Sequence, residues 1–266
     1  MTQVEEKRIH SLNDFAEIVS TAVNSDERNW FRGNRDANAH KLLPSLYRQK
    51  NCSTFAQFRL LEEELMQSFS MRALPFHDRV PRDEIELLFF MQHHGVPTRL
   101  LDWSESPYVA LFFALENALM ESPELKVDSA VWVIKPVGLN QITFQNHTEN
   151  ERIISAKSEL MEPYKPNSAY PGKAPIAVLG IHNSRRIVAQ RGVFTIFGSN
   201  LAALDDDPRI VSGGILSKIV IDKESKVKIA KALFNMGVTD SVVYPDLDGL
   251  GREIRNTIDH WKAPSA

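Results

Sequence analysis

The chain contains little cysteine and no excess of charge of either sign. A single cysteine, Cys52, stands among 266 residues, so an internal disulfide and a cysteine-based zinc site are excluded. Cys52 lies between Asn51 and Ser53 beside a Phe-rich segment, which is more typical of a half-buried bystander than of a nucleophile. Lys and Arg number 31 against 34 Asp and Glu, a net charge of -3. This balance argues against a large nonspecific surface for nucleic-acid phosphates but allows a local basic cleft.

The sequence also lacks membrane and secretion signals. No uninterrupted apolar run reaches about 18 residues, and Met1–Glu6 is not a basic segment followed by an apolar one. The apolar share of 43% and the charged share of 24% are ordinary for a globular protein. We therefore expect a cytoplasmic protein without membrane contact, long enough for one large domain or two small ones.

Apolar residues at steps of three and four predict amphipathic helices in the first half. In the second of these helices, the acidic run Glu62–Glu64 is expected mostly on the side away from the core. Ser106 and Pro107 supply the N-cap and the first-turn proline of the fourth helix. The predicted helices cover Leu12–Val23, Ser53–Arg72, a segment from after Pro81 to His94, and Tyr108–Asn117.

Short apolar runs rich in β-branched residues predict strands in the second half. The runs are Ala130–Ile134, Ile176–Ile181, Val193–Phe197, Ile215–Ile221 and Ser241–Tyr244, and helices are expected over Asp222–Met236 and Leu247–His260. The predicted elements begin with helices and continue with strands separated by helices. This order favours an α+β fold on a mixed sheet over a regular βαβ repeat. Without a linker or repeat, we expect one domain over residues 1–266 with a helical insertion at about 53–94. The proline-rich Pro163–Pro175 is expected to be an extended loop.

A short aromatic strand, Trp30–Gly33, ends in an arginine and a glycine. The planar Arg32 guanidinium could hold two phosphate oxygens in a bidentate fork, or it could tie the strand to a neighbouring loop through a salt bridge. Gly33 slightly favours the ligand, because a residue without a side chain lets a ligand approach the backbone.

The segment Gln92–Arg99 places two histidines at the end of a helix. Adjacent helical residues point about 100° apart, so His93 and His94 are not a chelating pair, and we expect no metal site. Either histidine could act as a general acid or base near neutral pH, or could bond to the carbonyls that end the helix. Arg99 and Asp102 lie three apart in the extended segment that follows, and they either pair structurally or face a ligand.

Two further polar edges lie beside the later strands. Gln190–Gly192 precedes the strand that starts at Val193, and Pro245–Gly249 follows the last strand. Asp246 is expected to cap the final helix. Asp246 and Asp248 could instead ligate a divalent ion in a nuclease, but no nearby lysine or third acid completes such a site.

Five of these motifs, taken in order, resemble those of the FRG domain family, named for its Phe-Arg-Gly signature. The resemblance runs from about residue 10 to about residue 260. The matching segments are Trp30–Gly33, Leu43–Arg48, Gln92–Ser104 with Ser106-Pro107, Gln190–Phe194 and Tyr244–Leu250. This resemblance implies a largely uncharacterised bacterial family, and it says little about chemistry.

A more distant resemblance, to ADP-ribosyltransferases, implies an NAD site on a mixed sheet of that type with an N-terminal helical elaboration. A strand bearing arginine, a serine-containing segment that enters a helix, and a later strand opening with Gln or Glu are similar to its three parts. By this likeness Arg32 grips the NAD pyrophosphate or ribose, Ser104 shapes the nicotinamide pocket, and Gln190 replaces a catalytic glutamate. Together with the motifs above, this makes Arg32, Gln190, Asp102 and His94 the candidate catalytic residues, and Arg32, Gly33, Arg99, Trp103, Ser104 and Phe194 the candidate cofactor contacts.

Gln190 departs from the pattern that the resemblance implies. Cleavage of the nicotinamide–ribose bond passes through an oxocarbenium-like state, which a carboxylate hydrogen-bonded to the ribose would stabilise. A neutral amide cannot do this fully. Either Asp102, Glu105 or Asp248 supplies the charge, or the protein binds without turnover.

Two functions are therefore expected. The first is an NAD-dependent ADP-ribosyltransferase or NAD-cleaving effector, such as a bacterial toxin or phage-defence component, acting on an unknown protein or nucleic acid. An antitoxin or inhibitor protein is an implied partner of such an effector. The alternative is a noncatalytic module whose cleft of Arg32, Arg48, Arg99 and Arg191 grips the phosphates of a nucleotide or nucleic acid.

Overall fold

One mixed β-sheet of eight strands organises the described part of the chain. The structure, a computed structural model, describes residues 4–23, 27–39, 41–77, 79–119, 123–145, 153–181 and 184–260. The strands are β1 (Glu5–Ile9), β2 (Trp30–Asn34), β3 (Leu100–Ser104), β4 (Ser129–Ile134), β5 (Ile154–Ser155), β6 (Ile176–Leu179), β7 (Gly192–Ile196) and β8 (Leu216–Ile221). Their order across the sheet is β1-β8-β4-β2-β3-β7-β6-β5. The β1–β8 and β5–β6 pairs are parallel and the others are antiparallel, which confirms an α+β fold on a mixed sheet.

The helices precede and separate these strands. They are α1 (Leu12–Val23), α2 (Phe55–Ala73), α3 (Glu84–His93), α4 (Pro107–Ala114), α5 (Pro136–Phe144), α6 (Arg185–Ala189), α7 (Pro208–Ser212), α8 (Lys226–Asn235), α9 (Asp240–Val243) and α10 (Leu247–His260). Both α2 and α3 come between β2 and β3 in the sequence. Within the residues that the structure describes, no helix is long and apolar enough to cross a membrane.

Local sequence explains where the helices near the site begin. At the start of α2, Thr54 accepts a hydrogen bond from the Gln57 amide, and the Gln57 side chain accepts one from the Thr54 amide. At the start of α4, the Ser106 hydroxyl accepts a bond from the Val109 amide, and Pro107 occupies the first turn. These caps satisfy N–H groups that a helix terminus otherwise leaves without partners. The predicted cap of α4 is confirmed.

Other predictions need correction. Ser241–Tyr244, predicted as a strand, lies mainly in the helix α9, because a four-residue apolar run carries no period that separates strand from helix. The edge strand β1 was not predicted, since all of its residues except Ile9 are exposed and charged. The Pro163–Pro175 segment is irregular but folds back on itself rather than extending, because the Gly172 amide donates to the Pro163 carbonyl at 2.9 Å.

The sheet is nearly divided between β2 and β3. All five residues of β2 pair with β4, and all five residues of β3 pair with β7. Between β2 and β3, in contrast, the one register pair is Phe31 with Ser104. Two four-stranded halves therefore meet at a short junction, and side chains near it can open onto a cavity.

Apolar packing holds β2 rigidly on both faces. Trp30 belongs to a buried cluster with Leu101 and Trp103, whereas Phe31 belongs to another with Leu111 and Val131. Successive strand residues point to opposite faces, so these two aromatic residues fix β2 between two cores. Arg32, the next residue, therefore starts from an immobile backbone.

Candidate functional site

A cavity of about 560 Å³ opens at the junction of β2 and β3. This volume lies within the range of small-molecule binding sites in proteins. Residues from both halves of the sheet, from α3 and from α6 form its walls. The charged and polar side chains that line it are Arg32, Asn34, Arg35, Asp36, Arg48, Gln92, His93, Asp102, Ser104, Glu116, Arg186 and Gln190.

Arg32 bridges the gap between the two halves of the sheet. Its Nη1 donates a hydrogen bond to the main-chain carbonyl of Asp102 at 2.7 Å. Desolvation lowers the pKa of Arg32, the nearby Asp102 charge opposes this, and the positive charge of Arg48 adds to the lowering. A guanidinium stays protonated at neutral pH even so. Arg32 therefore presents a guanidinium cation on the wall of the cavity, where it can form charge-assisted hydrogen bonds with an anion.

The carboxylate of Asp102 lies in the same cavity and can be reached by solvent through it. Desolvation by the surrounding walls raises the pKa of Asp102, while the Arg32 charge and a hydrogen bond from Gln92 oppose the rise. The cationic and amide groups that face the Asp102 carboxylate favour its ionised form and act against the effect of desolvation. The Asp102 carboxylate can therefore act both as a negative charge and as a proton acceptor.

A chain of hydrogen bonds fixes the orientation of the amide that contacts Asp102. The Gln92 Nε2 donates to Asp102 Oδ2 at 2.6 Å, and Gln92 Oε1 accepts from the Thr98 hydroxyl at 2.6 Å. The Thr98 hydroxyl in turn accepts from the Leu100 amide at 3.1 Å. Thr98 is fully buried, and its hydroxyl, held by the Leu100 amide, is directed at Gln92 Oε1. Gln92 therefore positions Asp102.

A second polar network, centred on Tyr244, includes the cavity residues Arg186 and Glu116. The Arg186 guanidinium lies 4.6 Å from the Tyr244 ring centroid, and the Tyr244 hydroxyl donates to Glu116 at 2.9 Å. Burial and the charge of Glu116 raise the pKa of Tyr244, so the hydroxyl keeps its proton. Glu116 also lies 3.8 Å from Arg35. Sequence reasoning missed Arg35, Arg186 and Glu116, all of which line the cavity.

Ser104 and Gln190 both line the cavity, but their polar groups contact the protein. The Ser104 hydroxyl donates to the Gln190 carbonyl at 2.7 Å and accepts from the Ser106 amide at 2.9 Å. The Gln190 side-chain amide donates to the Val243 carbonyl at 3.2 Å. Gln190 ends α6 rather than opening β7. These contacts hold β3, α6 and α9 together around the cavity.

Of the two adjacent histidines, His93 lines the cavity and His94 does not. His94 is exposed at the end of α3. Desolvation lowers the pKa of His93, and the neighbouring His94 and Arg186 lower it further. His93 is therefore neutral near pH 7 and able to accept a proton, with its Nδ1 3.5 Å from the Ser184 hydroxyl. The two histidines differ in position because adjacent side chains on a helix point about 100° apart.

Arg99, predicted as a cofactor contact, does not line the cavity. Its guanidinium, 2% exposed, pairs with Glu62 of α2 through Nη2 to Oε2 at 2.8 Å and Nε to Oε1 at 3.1 Å. Glu62, expected to face away from the core, is 1% exposed. A buried guanidinium needs a carboxylate partner, and this requirement overrides the helical pattern. Of the two roles predicted for Arg99, a structural pair and a ligand contact, the structure shows the structural pair. Its partner is Glu62 rather than Asp102.

The remaining predicted contacts differ in what they offer a ligand. Trp103 and Phe194 line the cavity but are nearly buried, and Trp103 Nε1 donates to the Thr195 hydroxyl at 3.1 Å. At Gly33, a Cβ would lie less than 3.0 Å from the Ala110 carbonyl and the Ala114 amide of α4. Because Gly33 has no side chain, the backbone of α4 can pack closely against it. Gly33 also lines the cavity.

The other charged candidates lie elsewhere. Glu105, Asp248 and Arg191 do not line the cavity. Asp246 caps α10, as predicted, by accepting a hydrogen bond from the Gly249 amide at 2.7 Å. Within the described ranges, no group of three or more His, Cys, Asp or Glu side chains is arranged to hold a metal ion. The arginines that surround the cavity are thus Arg32, Arg35, Arg48 and Arg186.

Comparison with known proteins gives one match. No curated protein and no solved structure matches the chain. One family model does match, and its span includes the whole of β2, α2, α3, β3 and α4. Arg32, Gln92 and Asp102 all fall within this span. Residues 27–122 of this chain are therefore similar to the FRG domain.

Proposed function

We propose that the cavity binds NAD and that the protein cleaves the nicotinamide–ribose bond, transferring ADP-ribose to water or to a macromolecular acceptor. The observation that carries the proposal is the convergence of a cation, Arg32, and a carboxylate, Asp102, in one cavity of about 560 Å³. On this proposal the divided sheet is of the ADP-ribosyltransferase-like type. The acceptor is a protein or a nucleic acid, and an inhibitor protein is a partner of the effector.

The arginines supply the affinity for the pyrophosphate. Arg32 uses Nη1 on the Asp102 carbonyl, which leaves its other guanidinium nitrogens in position to donate to phosphate oxygens. Arg48 lines the same cavity and is close enough to lower the pKa of Arg32. A diphosphate placed between them would relieve this repulsion between like charges. Phosphate binding therefore stabilises both arginines as well as the ligand.

Asp102 supplies the charge that Gln190 cannot. As the C1′–N bond breaks, its electron pair moves to the nicotinamide nitrogen, and the ribose becomes oxocarbenium-like. The Asp102 carboxylate stabilises that positive charge and accepts the proton of the attacking water or acceptor, then returns it to solvent. Of the three acids considered from the sequence, Asp102 lines the cavity, whereas Glu105 and Asp248 do not.

Nicotinamide release from NAD tests the proposal. The wild-type protein, incubated with NAD and a cell extract, should release nicotinamide, and Asp102→Asn should lower the rate by about 10²- to 10⁴-fold while NAD binding persists. Arg32→Ala should abolish binding. Glu105→Gln is the matched control, because Glu105 is exposed and outside the cavity, and it should keep the wild-type rate. No release above the Arg32→Ala background would contradict the proposal.

One observation supports a second candidate, a noncatalytic nucleotide-binding module. The Ser104 hydroxyl and the Gln190 amide are both engaged with the protein, as expected for a scaffold rather than for reacting groups. Such a module would bind NAD or ADP-ribose with an affinity that falls as salt rises, because phosphate contacts dominate it. It would release no nicotinamide, and Asp102→Asn would leave binding intact.

A further inference from the structure

The helix α10 is turned with its apolar side toward solvent. Its large apolar residues, between 43% and 84% exposed, form one stripe at steps of three, four and four, namely Leu247, Leu250, Ile254 and Ile258. An amphipathic helix at the surface of a globular protein normally faces its apolar side inward. A contiguous exposed apolar stripe of this kind marks an interaction surface.

Polar contacts hold the opposite side of α10 against the protein. Asn256, which is buried, donates to Asp240 at 2.7 Å, and Glu253 accepts a hydrogen bond from the Ser241 amide at 2.9 Å. The Arg252 guanidinium lies 4.1 Å from the Tyr244 ring centroid. A rotation that buried the apolar stripe would break these contacts. The exposed stripe is thus a fixed feature of the folded chain.

We propose that the α10 stripe is the interface of a homodimer in which the α10 helices of two copies pack antiparallel across a two-fold axis. Charge complementarity points to a second copy of this chain as the occupant. On the helix, Asp248 and Arg255 lie on the same flank of the stripe, seven residues or about two turns apart, and both are exposed.

The antiparallel arrangement places these charges opposite each other. A two-fold axis makes the same flank of both helices meet, so Asp248 of one copy faces Arg255 of the other, and the reverse. The midpoint between residues 248 and 255 lies about one residue from the midpoint of the stripe, so both ion pairs form close to the register that stacks the apolar residues. A parallel arrangement would not bring these two residues of one flank together.

The charge of α10 favours a protein partner over a lipid surface. The helix sequence LDGLGREIRNTIDH contains at least as many acidic residues as basic ones. A helix that binds anionic membranes is instead rich in Lys and Arg on its polar face. The apolar stripe is about 16 Å long at 1.5 Å per residue, which suits one helix-on-helix contact.

Sedimentation equilibrium of the full chain over a wide concentration range tests the dimer. Wild type should associate reversibly, and Ile254→Asp should raise the dimer dissociation constant by about 30-fold or more, because it places a charge at the centre of an apolar contact. Met71→Asp, at an exposed apolar residue of α2, is the matched control and should leave the dissociation constant unchanged.

A charge exchange tests the antiparallel geometry itself. Asp248→Arg and Arg255→Asp should each weaken the dimer, and the double variant should restore it, because the pairs re-form with reversed sign. Both residues are exposed, so circular dichroism should show that all three variants fold. A wild-type protein that stays monomeric at every concentration would overturn the proposal, as would a dimer that Ile254→Asp does not weaken.

Discussion

Two arginine–carboxylate pairs involve the segment Arg99–Asp102, and their geometries differ. In the Arg99–Glu62 pair, both side chains are buried and two nitrogens of the guanidinium meet both carboxylate oxygens. In the Arg32–Asp102 pair, the guanidinium bonds a main-chain carbonyl and the carboxylate is held by Gln92. In the first arrangement, the two charged groups bond to each other and are buried away from any ligand. The second keeps a positive and a negative group available on the wall of a cavity.

Residue type and local pattern do not decide the role of an arginine in this protein. Arg99 and Asp102 come from the same short segment, yet one side chain enters the core and the other opens onto the cavity. What separates them is the partner supplied from elsewhere in the chain, Glu62 for Arg99 and Arg32 with Gln92 for Asp102. A stabilising pair should respond to mutation in the free energy of unfolding, and a binding pair should respond in affinity.

The largest expected effect is on the buried pair. Glu62→Gln should lower the free energy of unfolding by about 3–5 kcal/mol, because it leaves the Arg99 guanidinium buried without a countercharge. Urea denaturation measures this loss. Glu64→Gln, at an exposed residue of the same helix, should change stability by no more than about 0.5 kcal/mol.

A double variant separates the charge of this pair from its volume. Glu62→Leu with Arg99→Met should recover most of the stability that a single replacement removes, because apolar residues of similar size need no countercharge. NAD binding should be unchanged in the double variant, since neither residue lines the cavity. If the double variant folds normally but fails to bind, the division between the two pairs is wrong.

Gly33→Ala should have an effect of intermediate size, and it should change both the stability of the protein and its affinity for NAD. The added methyl group would meet backbone atoms of α4 at less than 3.0 Å, and overpacking of this kind costs about 1–3 kcal/mol. Because Gly33 adjoins Arg32 on β2, the displaced strand should also weaken NAD binding. In Gly251→Ala the new methyl group meets no atom within 4 Å, so this variant is the control for adding a methyl group. Thermal unfolding and calorimetric titration of both variants give the two readouts.

The smallest expected effect is a pH-dependent stability difference at Asp102. Its pKa is raised in the folded protein, so the ionised carboxylate costs stability: the favourable contribution is complete below the unfolded pKa and is lost as pH rises through the folded value. Wild type should therefore become less stable relative to Asp102→Asn as pH rises from about 4. Solvent in the cavity keeps the difference below about 1 kcal/mol. A difference that changes in the opposite direction would show that Arg32 stabilises the carboxylate more than burial destabilises it.

Much of the fold could be predicted from the sequence because strong periodic patterns specify it. The α1, α2, α3, α4, α8 and α10 helices and the β2, β3, β4, β6, β7 and β8 strands all fall where apolar spacing and caps place them. The edge strand β1 escaped because a strand exposed on both faces has no apolar alternation. The helix α9 was predicted as a strand because four residues do not show a period.

The site could be predicted in part, and the missing part is tertiary. Arg32 was identified from the arginine–glycine pattern of a predicted strand, and Asp102 from its place three residues after Arg99 in a predicted extended segment; in the structure each is the central residue of its strand. Glu62 looked like one acid among three on a polar helix face, and nothing local reveals that Arg99 requires it. Arg186 reaches the cavity from a five-residue helix far along the chain. Only the folded chain brings these distant partners together.

Crystals of the protein soaked with ADP-ribose test the central assignment most directly. Electron density for the pyrophosphate should lie between Arg32 and Arg48, within hydrogen-bonding distance of both guanidinium groups, with the terminal ribose beside Asp102. The same density should be absent from crystals of Arg32→Ala. Density for the ligand away from the β2–β3 junction, or pyrophosphate density that persists unchanged in Arg32→Ala, would contradict the account.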